Sequence, residues 1–401
     1  MQVVLYDRAE WREDLFPLSL TRPVSNLRTG IWTVDEKWSR YLQCPVSFFT
    51  EDYLNKKFPL SDLNGEVLVL RGNVLPNEEL LEAIDRLKIG QALCADDVVI
   101  ALKLTAYSKE DLSVLELNRL QNSDIQFVSY SGEWTQIRYP EDLFMLNETE
   151  LNKDFELATK GRTSANLSAT NQILGDRIFV EEGVLAECAN FNTLKGPVYL
   201  GKNSQVWEGS SVRGAFSLGE GSIVKMGTKI YSNVSVGPHC KVAGELNTSV
   251  IWGNTNKGHD GYLGSAVVGE WCNFGAGTSN SNMKNNSRPV KMYNYRSASR
   301  RDTGLGFCGL MMGDHVRCAI NTSFNTGTVV GSCSNIFGHG MPCAFVPDFS
   351  WGGSERLDIY DVDKMFQTCE LVFQRRNSKF DEIEKNVLRS VFELTKKHRK
   401  N

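Results

Sequence analysis

The chain has 401 residues, with 44 Lys and Arg against 48 Asp and Glu and a formal net charge of -4. This slight acidic excess gives no general affinity for nucleic acid or membrane surfaces, and the apolar runs are too short to span a bilayer. The length allows two or three domains. The ten scattered cysteines form no CxxC pair, which argues against a zinc site. With a charged N-terminus, they predict a cytoplasmic protein.

The first 150 residues carry short apolar runs alternating with a helical pattern. We expect strands over 3–6, 46–50, 66–72, 97–104 and 125–130. A helix is predicted over 77–87, with Asn77 as its N-cap and acidic residues in its first turn. This alternation predicts an α/β, Rossmann-like domain over 1–155. A polar, turn-rich stretch then predicts a linker over 156–177.

An aliphatic residue recurs at every sixth position from residue 194 onward, nine times in succession. The run is Leu194, Leu200, Val206, Val212, Leu218, Val224, Ile230, Val236 and Val242. A period of six fits neither a helix nor a flat strand, but it is typical of a parallel β-helix built from hexapeptide repeats. We therefore predict such a β-helix over 178–350, with one aliphatic side chain per hexad turned inward.

A small residue stands three positions after six of these nine aliphatic residues. Glycine and asparagine tolerate positive φ, so we expect these positions to form the corners of the coils. They are Asn203, Gly209, Ala215, Gly221, Gly227 and Asn233.

The six-residue period is interrupted twice. The first break covers 244–262, after which Val268 and Phe274 resume the period out of frame. The second covers 280–304 and is polar and basic, and a third run follows from Met312 to Ile336. A stacked core tolerates insertions as excursions from one face, so we expect both breaks to leave the β-helix and to carry binding residues.

The C-terminal segment, 358–400, has apolar residues at helical spacing over 362–373 and again over 383–392. This spacing predicts two helices. We expect them to pack over the end of the β-helix and cover its open edge.

The loop NKGHDGYLG, residues 256–264, is the strongest candidate for chemistry. His259 lies between glycines, and a neutral imidazole can take a proton from an amine or a hydroxyl near neutral pH. Lys257 and Tyr262 flank it. An ordinary surface histidine in a turn is the alternative interpretation.

Polar and basic residues follow this loop. Asn273, Asn280, Asn282, Asn285 and Asn286 carry amides suited to sugar hydroxyls, although turn asparagines are equally compatible with the pattern. Five of the six cations in the second break would suit a phosphate or the pyrophosphate of coenzyme A, with a solvated loop as the alternative. These cations are Arg288, Lys291, Arg296, Arg300 and Arg301. The other four histidines are too dispersed for a three-histidine zinc site.

The hexads together with GHDGYLGSAVVGEWCNFGAGTSNSN resemble the left-handed β-helix acetyltransferases. The match is to the C-terminal domain of the bifunctional N-acetylglucosamine-1-phosphate uridyltransferase/glucosamine-1-phosphate acetyltransferase (GlmU) family, over about 198–340. The resemblance implies a homotrimer with sites between β-helices, acetyl-CoA as donor and His259 as general base. It implies that Tyr262, Asn273 and Asn282 contact the sugar phosphate. Lys257 and Arg288, which roughly replaces a family lysine, complete the expected substrate-binding set.

The N-terminal half resembles the sugar-phosphate nucleotidyltransferases through LFPLSLTRPVSNLRTG and YPEDL. Three positions depart from that family's pattern. The loop DRAEWRED has no glycine and places Asp14 where an arginine is expected, Val24 stands in place of a lysine, and Asn73 stands in place of the metal aspartate. A site without that carboxylate would hold Mg²⁺ poorly, so Mg²⁺ is implied only if the domain is active. The candidate nucleotide-binding residues are Arg22, Arg28, Lys37 and Asn73.

The whole arrangement, including VPDFSWGG at 346–353, resembles GlmU-like sugar nucleotidyltransferases of bacteria. Three hypotheses follow. The first is a transferase that moves an acyl group to a sugar phosphate or nucleotide sugar. The second is an active nucleotidyltransferase, using a nucleoside triphosphate, whose β-helix is a trimerisation scaffold. The third is a non-catalytic scaffold. Polar interruptions of the period, one carrying GHDG, and the missing glycine-rich loop favour the first.

Overall fold

The computed structural model describes residues 1–115, 120 and 123–399, which divide into two compact units. Unit 1 holds Met1–Arg12, Arg22–Leu27 and Thr33–Arg138. Unit 2 holds Glu13–Thr21, Arg28–Trp32 and the chain from Tyr139 onward. The linear domain boundaries expected at 155, 177 and 350 remain predictions.

Unit 1 is built on a six-stranded mixed sheet in the order β2-β1-β3-β6-β5-β7. Strand β1 pairs in parallel with β2 and β3, whereas β6 is antiparallel to β3 and β5. A separate two-stranded pair joins β4 and β8. The strands are β1 (Gln2–Tyr6), β2 (Val46–Phe49), β3 (Gly65–Arg71), β4 (Val74–Leu75), β5 (Gln91–Ala95), β6 (Val98–Ala106), β7 (Gln126–Ser129) and β8 (Thr135–Gln136).

The first helices are α1 (Ala9–Asp14), α2 (Val34–Leu42) and α3 (Glu78–Asp85), with 3-10 turns at Val24–Asn26, Asp52–Leu54 and Glu110–Leu115. Helix α3 begins as predicted, because the Asn77 side chain accepts a hydrogen bond from the Leu80 amide at 2.7 Å. The predicted α/β class is confirmed. Strand β5 was not predicted, since its sequence QALCA lacks the β-branched residues that indicate strands.

Unit 2 contains a parallel β-helix whose successive coils stack strand on strand. One ladder runs β10-β13-β16-β19-β21, a second runs β9-β12-β15-β18-β21, and a third runs β11-β14-β17-β20-β22-β24-β29-β32-β34. The first ladder continues from β21 through β23, β28 and β31 to β33, and β25 pairs with β30. These pairings confirm the predicted β-helix; its left-handedness remains a prediction from the repeat.

The strands of the early coils are β9 (Gln172–Leu174), β10 (Ile178–Val180), β11 (Leu185–Ala186), β12 (Asn190–Asn192), β13 (Val198–Leu200), β14 (Gln205–Val206), β15 (Ser211–Arg213), β16 (Phe216–Leu218), β17 (Ile223–Val224), β18 (Lys229–Ile230), β19 (Val234–Val236), β20 (Lys241–Val242) and β21 (Glu245–Ile251). The later strands are β22 (Asn256–Lys257), β23 (Tyr262–Val268), β24 (Asn273–Phe274), β25 (Ser279–Asn280), β26 (Lys291–Asn294), β27 (Ser299–Asp302), β28 (Leu310–Met312), β29 (Arg317–Cys318), β30 (Ser323–Phe324), β31 (Thr328–Val330), β32 (Asn335–Ile336), β33 (Phe345–Val346), β34 (Ser350–Gly352) and β35 (Leu357–Ile359).

The hexad aliphatics line one continuous core, as the period predicts. Residues 200 to 242 of the series are each at most 2% exposed. Leu194 is an exception, because its side chain is 66% exposed and the core position of that coil is taken by Phe191. Of the small residues predicted at corners, all but Ala215 have positive φ.

Truncating an inward-facing side chain should show how much the core of the β-helix contributes to the free energy of unfolding. Leu218, a member of the series, is fully buried, so Leu218→Ala is expected to lower the free energy of unfolding by about 2–5 kcal/mol, measured by urea denaturation. Leu194→Ala, at the exposed hexad position, is the matched control and should change it by less than about 0.5 kcal/mol. Similar losses in both variants would contradict the inward assignment of the series.

The first break, 244–262, does not leave the β-helix, contrary to our expectation. It forms β21, β22 and the start of β23, with Glu245 in register between Lys229 and Tyr262. The coil shortens here: Phe216 pairs with Val234, 18 residues on, but Val234 pairs with Ser249, only 15 residues on. A shorter coil shifts the frame, and this shift explains the lost period.

The second break does leave the coil. Its centre is an antiparallel hairpin of β26 and β27, and the coil resumes where Val267 pairs with Met311. We call residues 281–309 the excursion. The remaining helices of unit 2 are α4 (Asp142–Met145), α5 (Asn147–Thr159), α6 (Val362–Gln374) and α7 (Glu382–Leu394), followed by a 3-10 turn at Lys396–His398. Among the described residues, none of the helices combines the length and apolar character that crossing a bilayer requires.

Candidate functional site

His259 lies on a tight turn between β22 and β23, with its side chain exposed. The turn depends on Gly261, which has φ of +130°, and a Cβ atom there would lie 2.0 Å from the Thr278 carbonyl oxygen. The carbonyl of Asp260 accepts a hydrogen bond from the Gly277 amide at 3.0 Å, which ties the turn to the next coil. The imidazole therefore stands at the outer surface of the β-helix, where a substrate can reach it.

Lys257 lies directly beneath this turn, on the inside of the β-helix. It pairs in register with Val242 and is 1% exposed. Its Nζ donates a hydrogen bond to the carbonyl oxygen of His259 at 2.6 Å. Burial lowers the pKa of the Lys257 ammonium from 10.5 to about 8, opposed by the attraction of Asp260. The substrate-binding role expected for Lys257 remains a prediction, but its described contact is with the main chain of His259.

The structure brings Tyr262 and Asn282 together, as the resemblance implies for a shared site. The Asn282 Nδ2 donates to the Tyr262 hydroxyl at 3.1 Å and to the Ser265 hydroxyl at 3.2 Å. Burial raises the pKa of the Tyr262 hydroxyl, and hydrogen bonds from Asn247 and Asn282 oppose that rise. The phenol is therefore protonated at neutral pH and available as a hydrogen-bond donor.

Two polar residues beside Tyr262, Glu245 and Asn247, and a third one coil further away, Lys229, were missed in the sequence. Lys229 and Glu245 precede Tyr262 along the same ladder, and Asn247 follows Glu245 on β21. Only the register of the shortened coil places them there. The polar stretch ELNTSV indicates that some residues here face solvent. Because the six-residue period is interrupted at this point, the sequence does not show which residues these are.

Asn273 and Asn280 make different kinds of contact, the first with a side chain and the second with the main chain. Asn273 lies on β24, in a different ladder from Tyr262, and its Oδ1 accepts from Asn256 Nδ2 at 3.0 Å. Asn280 is buried, and its side chain bonds to both the amide and the carbonyl of Gly264 at 2.9 and 3.0 Å. Asn280 therefore supports the main chain, in agreement with the alternative interpretation of these asparagines.

The basic excursion is partly neutralised within unit 2. Arg296 forms an ion pair with Asp14 at 3.1 Å, and Asn294 donates to the other Asp14 oxygen at 3.0 Å. Arg301 pairs with Glu141 and its guanidinium lies 3.7 Å from the ring centroid of Tyr139. The exposed cations that remain on the excursion are Arg288, Lys291 and Arg300.

Of the four predicted nucleotide-binding residues, three lie in unit 1 and one lies in unit 2. Arg28 belongs to unit 2, where it donates to the Ile31 carbonyl. In unit 1, Arg22 is 4% exposed and Lys37 is fully buried on α2. Asn73 is also buried, donating to the Ile137 carbonyl at 2.8 Å and accepting from Arg71 Nε at 3.0 Å. Their nucleotide roles remain predictions, and this burial limits direct contact with a ligand.

The ends of the parallel strands β1 and β3 form a pocket in unit 1 that sequence reasoning missed. Arg71, at the end of β3, packs its guanidinium 3.5 Å from the ring centroid of Trp11. Burial lowers the pKa of Arg71 to about 10, and the like charges of Arg8 and Arg138 act in the same direction. Within the described residues, no carboxylate forms an ion pair with Arg71. The pocket is lined by Tyr6, Arg8, Trp11, Val69, Arg71, Asp97, Val99, Ile100, Ala101, Leu102, Leu115 and Leu120.

The residues at the expected metal position do not fit Mg²⁺. The side chain of Asn73 is engaged by Ile137 and Arg71, and an amide oxygen that already accepts a hydrogen bond is a weak replacement for a carboxylate. Across the part of the chain that the structure describes, no group of three or more His, Cys, Asp or Glu residues could hold a metal ion.

Comparison with known proteins supports the resemblance. Residues 3–163 match the family model described as sugar nucleotidyl transferase. The chain is similar to the bifunctional protein GlmU of Methanocaldococcus jannaschii, with 25% identity over 236 residues, which are 59% of this chain and 51% of that protein. It is also similar to a bifunctional sugar-1-phosphate nucleotidylyltransferase/acetyltransferase of Sulfurisphaera tokodaii, with 26% identity over 243 residues, 59% of this chain and 53% of that protein. These matches confirm the predicted GlmU-like resemblance.

The chain spans about half the length of the curated relatives it matches. Among solved structures, an Arabidopsis UDP-N-acetylglucosamine acyltransferase matches with 14% identity, covering 53% of this chain and 80% of that one. Its TM-score is 0.26, which is too low to establish a common fold.

Proposed function

We propose that this chain is a GlmU-type transferase that moves an acetyl group from acetyl-CoA to a sugar phosphate or nucleotide sugar, with His259 as general base. The observation that carries the proposal is the His259 turn. The imidazole is exposed on a glycine-framed turn, and its main chain is held from inside the β-helix by a buried lysine. The hydrogen-bonded pair of Tyr262 and Asn282 begins three residues further on.

The chemistry asked of this site is a proton transfer coupled to acyl transfer. His259 takes the proton from the acceptor amine or hydroxyl, whose nitrogen or oxygen forms a bond to the thioester carbonyl carbon. The carbon–sulfur bond then breaks, and coenzyme A leaves and is protonated at sulfur. Tyr262 and Asn282 would hydrogen-bond the sugar phosphate and orient the acceptor.

Two further parts of the proposal concern acetyl-CoA and the assembly. The exposed cations Arg288, Lys291 and Arg300 form no ion pair within the described residues, and their positive charge would suit the phosphates of acetyl-CoA or of the acceptor. We also propose a cytoplasmic homotrimer with its sites between β-helices. In that assembly Asn273, which lies on another ladder, would join the acceptor site from a neighbouring β-helix.

The direct test is coenzyme A release from acetyl-CoA by the full chain, across a panel of amino-sugar phosphates and nucleotide sugars. The proposal predicts release with one acceptor class above the rate of thioester hydrolysis. Folded protein that releases no coenzyme A with any acceptor would refute acyl transfer and favour the scaffold hypothesis.

A second candidate function is favoured by the pocket at Arg71. Among the described residues, the partly buried Arg71 forms no ion pair with a carboxylate, although Asp97 also lines the pocket and the nearby Arg8 pairs with Glu10 at 3.2 Å. A partly buried cation of this kind, beside two further arginines, favours an anion. The neighbouring Trp11 and Tyr6 rings, whose centroids lie 5.5 Å apart in an edge-to-face arrangement, add aromatic surface beside this cation. We infer that unit 1 binds a nucleoside triphosphate or nucleotide sugar, as the sugar-1-phosphate nucleotidyltransferase hypothesis requires.

Arg71→Met should weaken this binding by about 10- to 100-fold, because a charge-assisted hydrogen bond contributes roughly 1.5–3 kcal/mol. The measurement is titration calorimetry with nucleoside triphosphates, with and without Mg²⁺. Arg86→Met is the matched control, since the Arg86 side chain is 78% exposed and its one ion pair among the described residues is with its helix neighbour Glu82. Equal affinity in the Arg71 variant and the wild type would exclude this pocket as the nucleotide site.

A further inference from the structure

A lysine occupies an inward-facing column of the β-helix that is otherwise apolar. Val224, Val242 and Lys257 stack in register on β17, β20 and β22. The equivalent positions on the later strands of this ladder are Phe274, Cys318 and Ile336. At 1% exposure, Lys257 is as buried as the valines beside it.

An apolar side chain would be the more stable choice at this position. A buried ammonium loses its hydration, and within the described residues no carboxylate lies within ion-pair distance of Lys257. Because folding lowers its pKa to about 8, the charged lysine destabilises the folded chain at pH 7. That penalty disappears as the pH rises from about 8 to 10.5. Such local conflicts between a residue and its fold concentrate at functional sites.

The contact that Lys257 makes explains what the position provides. Its own main chain is fixed, since its carbonyl accepts from the Ala243 amide at 2.8 Å on the neighbouring strand. His259, by contrast, lies off the ladder, and within the described residues it makes no hydrogen bond to another main-chain group. The 2.6 Å bond from Lys257 Nζ to the His259 carbonyl, the tether, therefore holds the main chain of His259 itself, whereas the Asp260 carbonyl ties the next residue of the turn to Gly277.

We propose that Lys257 is the positioning residue of the proposed base: from inside the β-helix, its ammonium fixes the carbonyl of His259 and thereby the direction in which the imidazole projects. This inference rests on the proposed function for its catalytic consequence, although the tether itself is a property of the turn. A misplacement of about 1 Å at a reacting group can cost on the order of 100-fold in rate.

The test replaces Lys257 with methionine, which fills the column but cannot donate to the carbonyl. Amide hydrogen exchange over 256–264 should become at least about fivefold faster, as expected when a turn loses its tether. The kcat for coenzyme A release should fall by about tenfold or more with KM for acetyl-CoA within about twofold. The melting temperature at pH 7 should stay equal or rise, and the difference from wild type should shrink between pH 8 and 10.5.

Val224→Ala is the matched control, because it opens a cavity in the same column two coils away. It should lower the melting temperature without changing kcat or exchange over 256–264. Lys257→Gln, which keeps a shorter neutral donor, is the second variant and should restore part of the exchange protection.

The proposal is overturned if Lys257→Met leaves both exchange over 256–264 and kcat unchanged. It is also overturned if that variant only loses stability, as Val224→Ala does. Faster exchange in the turn supports the tether even if no acceptor yields coenzyme A, a result that would refute the proposed function alone.

Discussion

Replacing His259 with alanine is expected to lower the kcat of coenzyme A release by about two to four orders of magnitude, the range typical of a lost general base. The side chain is exposed, so its removal leaves no cavity and should leave the melting temperature unchanged. KM for acetyl-CoA should change little, because the imidazole acts on the acceptor rather than on the donor. Steady-state kinetics of wild type and variant measure all three quantities.

His339→Ala is the matched control for this experiment. His339 is also exposed, on a glycine-flanked turn of the same unit, and its carbonyl rather than its ring accepts from Ser354. The control should retain wild-type kcat. A His259 variant with kcat within about threefold of the wild type would remove His259 from the mechanism.

Arg12→Met is expected to produce a large loss of stability, about 3–5 kcal/mol in the unfolding of unit 1. The guanidinium of Arg12 lies 2.6 Å from the Asp7 carboxylate, and both side chains are 2% exposed. Arg12 also donates to the Tyr53 hydroxyl at 2.7 Å and to the Arg22 carbonyl at 3.1 Å. Its removal would leave a buried carboxylate without its counter-charge. Urea denaturation followed by tryptophan fluorescence measures the loss.

The control is the double variant Asp7→Asn with Arg12→Met, which removes both charges. It should recover part of the lost stability, since a buried pair replaced as a whole costs less than a pair broken on one side. A double variant less stable than Arg12→Met would contradict this account of the pair. The stability of this ion pair also bears on the proposed nucleotide binding at Arg71, because α1 carries Trp11, which packs on Arg71.

The coil architecture could be predicted because every inward position of a hexapeptide repeat carries the same chemical signature. The six-residue period wrongly places Leu194 in the core, since that coil uses Phe191 as its inward residue. Lys257 could not be identified as inward, because it follows Val242 by 15 residues where Val242 follows Val224 by 18. Coil length is set by corner geometry, which a single sequence does not display.

The sites were predictable only where the residues are close along the chain. His259 and Tyr262 lie three residues apart on one turn and strand, so local pattern was sufficient. The pocket at Arg71 needs the ends of two parallel strands to meet, and they are more than sixty residues apart along the chain. The sequence does not show that the positive charge of the excursion is partly neutralised, because Asp14, the partner of Arg296, is 282 residues away.

The most direct measurement of the central claim is mass spectrometry of the acceptor after incubation with acetyl-CoA and the full chain. The account predicts that one amino-sugar phosphate or nucleotide sugar gains the mass of an acetyl group with the wild type and the His339 control, but not with His259→Ala. An acceptor panel left unmodified by well-folded wild type, or acetylated equally by the His259 variant, would contradict it.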